Sequence, residues 1–149
     1  MDITLTLSQS DVFTEVAQTA SYTGSKMEDD PKAYDRITTV DEDQSELQRF
    51  WDESRAEVAK AFKRQLVSEG MEEDTYSLML DVPVAFDEAL LPGMQSGLRS
   101  FFVQSITAKW FGYTNKKEAG VYAEAAKTCL DEVREKALHR KMPVRPRYD

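Results

Sequence analysis

The chain opens on a two-residue alternation, with Ile3, Leu5 and Leu7 apolar and Thr4 and Thr6 polar between them. This is the pattern of a half-buried extended segment. From Ser8 the period lengthens. Val12, Phe13, Val16, Ala17 and Ala20 share one helical face, Ser8 is placed to cap it with Asp11 three residues on, and Gly24 supplies a stop, which predicts a helix over 9–23. Residues 25–40 contain Glu28, Asp29, Asp30 and Pro31 without a sustained period. They read as a surface excursion with Tyr34 and Ile37 as anchors.

The clearest periodicity follows. Leu47, Trp51, Ser54, Val58, Ala61 and Gln65 keep heptad spacing, and Phe50, Phe62 and Leu66 widen the stripe, which predicts a long helix over 42–68. Thr39 or Asp41 can cap it, and its acids at the start and Lys60, Lys63 and Arg64 at the end suit the helix dipole. Beyond Gly70, the residues Tyr76, Leu78, Leu80 and Val82 alternate with polar neighbours up to Pro83. That predicts a strand at a sheet edge.

A helix beginning near Pro92 and running to about Gly112 is apolar nearly all round, through Leu98, Phe101, Phe102, Val103, Ile106, Ala108, Trp110 and Phe111. Such a helix is either the centre of the core or has a partner on its second face, and the core reading is preferred. Asn115 with Glu118 reads as a capping box opening a last helix, on which Ala119, Tyr122, Ala126, Cys129, Val133 and Ala137 form the apolar stripe to about Leu138. MPVRPRYD cannot continue it. The expected fold is therefore mainly α, a bundle of about four helices over 1–138 with a short β-strand or hairpin insert, followed by an extended C-terminal arm over 139–149.

Composition narrows the function classes. At 149 residues with 41% hydrophobic positions, one domain with its own core is expected. A single cysteine excludes a disulfide framework. The opening residues lack a basic region followed by a long apolar run, and no stretch is apolar enough to span a bilayer, so neither an export signal nor a membrane contact is expected. The net charge is −8 and unevenly placed. Residues 139–149 hold four basic residues and one acid, whereas the rest of the chain holds 15 basic and 26 acidic residues. An acidic body disfavours duplex binding, which needs clustered Lys and Arg.

Candidate chemistry is sparse. His139 sits beside Arg140 and Lys141 at a helix end, a favourable place for a cation, and no triad accompanies it. Cys129 falls on an apolar stripe and reads as an unreactive thiol. Asp41, Asp43 and Ser45 resemble the start of a calcium loop, but Glu46 stands where glycine is required and Asp52 where the closing glutamate belongs. The acidic groups 28–30 and 72–74 read as solvated loops. Gly93, Ser96 and Gly97 miss the nucleophile-elbow spacing, and Trp110 with Phe111 reads as core rather than as a base-stacking platform. No catalytic residue, metal, cofactor or small-molecule substrate is expected.

The order of these parts, with the stretches TTVDEDQSELQRFWDESRAEV, SFFVQSITAKWFGYTN and EAGVYAEAAKTCLDEV, resembles the head-tail connector (adaptor or completion) proteins of tailed bacteriophages and of prophages in Bacteroides-type gut bacteria. The resemblance covers roughly residues 8–138. It departs at the strand near 76–82 and at the acidic excursion 25–40. It implies a non-catalytic virion protein, present in the host cytoplasm during assembly, that forms a homo-oligomeric ring below the portal. Its partners would be copies of itself and portal or tail proteins, with DNA only as passing cargo. On that basis Asp41, Glu42 and Asp43 are expected on an acidic channel face. Arg140, Lys141, Arg145, Arg147 and Tyr148 are expected to bind a partner. The alternative reading is a small acidic cytoplasmic regulator that mimics DNA toward a basic protein.

Overall fold

In the computed structural model, residues 1–26 and 43–140 are described. Eight elements follow in chain order. Strand β1 spans Asp2–Ser8, helix α1 Gln9–Lys26, helix α2 Gln44–Ala61, strand β2 Leu66–Glu72 and strand β3 Thr75–Asp81. A short 3-10 turn, Glu88–Leu90, then leads into helix α3, Leu91–Thr114, and helix α4, Lys116–Leu138. Among the described residues, four helices and a small antiparallel sheet make the mainly α fold.

The sheet corrects two expectations. Its order is β1-β3-β2, so β3 is the central strand and not an edge. Leu5 pairs with Leu78 on one side, and Glu69 with the same residue on the other. Tyr76, Leu78 and Leu80 are fully buried, which is what a central strand with one face on a core requires. The predicted long helix is likewise two elements. α2 stops at Ala61, the chain turns over 62–65 with the amides of Gln65 and Leu66 both donating to the Phe62 carbonyl, and Leu66 then opens β2. The heptad stripe ran on through Leu66 because a strand that follows a tight turn still presents apolar residues to the same core.

Other boundaries shift less. α1 passes through Gly24 to Lys26. Asp43 occupies the N-cap position of α2 without a side-chain cap bond, while Asp41, Glu42 and the excursion below 43 lie outside the described residues. Asn115 starts α4, but its side chain makes no cap bond. Its backbone carbonyl instead accepts from the amides of Glu118 and Ala119, each at 3.2 Å.

α3 is the axis of the molecule. Met94, Leu98, Phe102, Ile106 and Phe111 are fully buried on it, against α1, α2, α4 and β1. Its all-round apolarity is therefore used inside the chain. At its middle, Trp51 of α2 lies 4.5 Å from the Phe102 ring, with Phe13 and Tyr76 edge-on at 6.0 and 5.9 Å. Aromatic contacts of this kind tie α1, α2, β3 and α3 together and add to the burial of large apolar surfaces.

Candidate interaction surface

Among the described residues, no group of three or more His, Cys, Asp or Glu is arranged to hold a metal ion. Cys129 is a free, half-buried thiol, and burial, then the nearby Glu132 charge, pushes its pKa up. His139 follows the last turn of α4, where its amide donates to the Lys136 carbonyl at 3.1 Å. Of the expected partner-binding residues only Arg140 is described. It is exposed and forms an isolated antiparallel bridge with the buried Phe86. Lys141, Arg145, Arg147 and Tyr148 lie outside the described residues, and of the expected channel acids only Asp43 is placed.

The sheet provides a surface that sequence reasoning missed. β1 is an outer strand, and no described residue pairs with its far edge. Side chains alternate along a strand, so Asp2, Thr4 and Thr6 leave the sheet on the face away from the core, together with Glu72 of β2 and Asp81 of β3. The charged side chains on that face are acidic, and one of them, Asp81, is paired with the Met1 ammonium at 3.1 Å. Beside it, between β1, the start of α1 and the start of α3, runs a groove of about 900 Å³ lined by Thr4, Thr6, Asp11, Leu91, Pro92 and Gln95. Gln95 reaches across it, its Oε1 accepting from the Thr6 amide at 3.5 Å.

Asp74 closes one end of this region. Its carboxylate accepts from the Ser8 hydroxyl at 2.6 Å and from the Ser10 amide and hydroxyl at 2.9 and 2.7 Å. These bonds, the Ser8 hydroxyl foremost, hold its pKa below the usual carboxylate value. They fix the corner where β1 passes into α1. Ser8 also accepts from the Asp11 amide at 3.4 Å, as expected of a residue that caps α1.

A second charged cluster supports the opposite sheet edge. Arg55 of α2 donates twice to Glu69 of β2, at 3.2 Å each, and its guanidinium lies 5.8 Å from the Tyr76 ring centre. The Glu69 bond is the main reason the Arg55 pKa is raised. This pair is structural, joining α2 to the strand that follows it. The only signal for the β1 edge in the sequence was the alternation of Ile3, Leu5 and Leu7 with two threonines, which announces a strand but not which of its sides stays open.

Compared with family models, curated proteins and solved structures, the chain matches none of them. Among the described residues, no helix is long and apolar enough to cross a membrane.

Proposed function

We propose that this chain is a head-tail connector subunit of a tailed-phage virion, which assembles with copies of itself into a non-catalytic ring between portal and tail proteins. One observation supports this above the others. The described surface carries an acidic sheet face beside an open strand edge, while the sequence that follows α4 is basic. Two different complementary patches on one subunit make heterologous, head-to-tail contacts, and these close into rings when the rotation permits. Asp41, Glu42 and Asp43, which precede α2 in the sequence, are assigned to the channel wall, where they repel passing phosphates so that DNA slides. Assembly takes place in the host cytoplasm and the product resides in the virion.

The test is solution mass by light scattering over a wide concentration range, with negative-stain images of the largest species. Rings that grow in with concentration or on addition of a portal are the expected result. Truncation after Arg140 should abolish them while leaving helical content and Tm nearly unchanged. A dimer of constant mass that captures basic proteins would overturn the ring and favour the DNA-mimic reading. Unaltered DNA passage after neutralising Asp41, Glu42 and Asp43 together would overturn the channel assignment.

A further inference from the structure

We infer that in the free subunit residues 141–149 fold back onto the groove beside β1 of the same chain, as a releasable strap over the open strand edge. The inference goes beyond the ring reading, since it concerns the subunit before it meets any partner.

The edge to be covered starts at the N-terminus. The Val82 amide donates to the Met1 carbonyl and the Gln9 amide to the Asp74 carbonyl, each at 2.8 Å, so the odd-numbered residues of β1 spend their backbone groups on β3. Asp2, Thr4 and Thr6 then direct theirs to the open side. Gln95 stands there, its Oε1 3.5 Å from the Thr6 amide and its Nε2 3.4 Å from Thr6 Oγ1. Both contacts are long for hydrogen bonds, so the edge is weakly covered.

The tail leaves beside the same point. Arg140 forms an antiparallel bridge with Phe86, and Val82, four residues earlier, holds Met1 by bonds in both directions. An antiparallel bridge sets the chain beyond Arg140 on a course from Phe86 back toward Val82, where β1 begins. The first turn of α3 borders this path. Leu90 shares a surface hollow with Lys136 and His139 at the end of α4, and the next two residues, Leu91 and Pro92, line the groove. Nine extended residues reach about 30 Å, whereas Asp2 to Thr6 covers about 13 Å of strand. A tail tethered this close meets the edge at an effective concentration of the order of millimolar, which the tail of a second copy in dilute solution does not match.

Charge favours the same occupant. Asp2 opens the edge and Asp11 lines the groove, and neither is ion-paired among the described residues. Arg99 on the groove wall is engaged with Glu15 of α1, with 3.7 Å between Nε and Oε2. The tail carries Lys141, Arg145 and Arg147 against Asp149. Pro143 and Pro146 have opposite parity, so whichever residues turn toward β1, one proline among them offers no N–H. Pairing is therefore partial and charge supplies the rest. A competing surface can lift such a strap, and assembly through Arg145 and Arg147 has to lift it first.

Amide exchange followed by NMR in the full-length protein tests this. The Thr4 and Thr6 amides should exchange about tenfold faster in Arg145→Glu/Arg147→Glu than in wild type, the effect of one lost hydrogen bond, with an unchanged circular-dichroism melt. Added salt should speed their exchange in wild type and leave the variant as it was. Protection in wild type should be the same in dilute and concentrated samples. Equal rates in the two proteins overturn the inference, and protection that grows with concentration overturns it in favour of a second copy. Rings built from subunits without this protection would sink the strap and spare the ring reading. Protected subunits that never form rings would do the reverse.

Discussion

The hydroxyls of Ser54 and Ser105 meet 2.9 Å apart in the seam between α2 and α3, both closed off from solvent. Ser105 Oγ also accepts from Lys109 Nζ at 3.0 Å, and that ammonium donates to Glu57 at 2.8 Å. The buried pair is thereby connected to the surface through one lysine. Ser54→Ala should cost about 1 kcal/mol and Ser105→Ala somewhat more, because the second also removes an acceptor from Lys109. In a double-mutant cycle followed by urea unfolding, the two losses should not add. Additive losses would show that the hydroxyls do not sense each other.

Two glycines in helices should respond oppositely to alanine. A Cβ on Gly97 would stand 2.7 Å from Val133 Cγ2, whereas one on Gly120 meets nothing within 4 Å. Gly120→Ala should stabilise by about 0.5–1 kcal/mol through helix propensity alone. Gly97→Ala should destabilise, since overpacking by roughly 1–3 kcal/mol exceeds that gain, and Val133→Ala should recover part of the loss. Equal effects at the two sites in thermal melts would contradict the close approach of α3 and α4.

The Asp74 corner gives stability a pH dependence of known sign. Its folded pKa lies below the usual value of 3.8, so the folded state prefers the ionised form. The contribution is complete above the unfolded value and is lost as pH falls through the lower folded one. Asp74→Asn should flatten the acid limb of a Tm-against-pH curve while leaving the neutral region parallel to wild type. An acid limb of unchanged slope would locate the dependence elsewhere.

Cys129 should be slow to react. With its pKa raised by burial, little thiolate is present near neutral pH, and the thiolate is the reacting form. Labelling with a disulfide reagent should be several-fold slower in the native protein than in urea. Equal rates would mean that α4 opens freely around this residue.

The helices were legible because each carries its own apolar period, and α3 and α4 end within two residues of where the spacing of Leu98 to Phe111 and of Ala119 to Ala137 puts them. What escaped was pairing. β2, with Ser68, Glu69 and Gly70, has no strong alternation of its own and becomes a strand because β3 lies beside it. Nothing near Phe62 announces a stop, since neither glycine nor proline marks the turn at 62–65. Whether β3 is central or at an edge depends on β1, which arrives from the other end of the sequence. The groove escaped for the same reason, as its two walls are distant in the chain. The tail at 141–149 was legible only as composition, because its charge and prolines say what it prefers to contact and not where.

The pairing of β1 with β3 also sets an order of events during synthesis. β1 is the first described element to leave the ribosome, yet its partner follows α1, α2 and β2. At about 5–20 residues per second, the strand waits for several seconds with both edges bare, held only by what α1 offers it. Its seven residues, with threonines and an aspartate outward, offer neighbouring chains a polar rather than an apolar edge during that interval. Long-range closure of this kind also slows folding, so the sheet should form last, onto helices already gathered around α3.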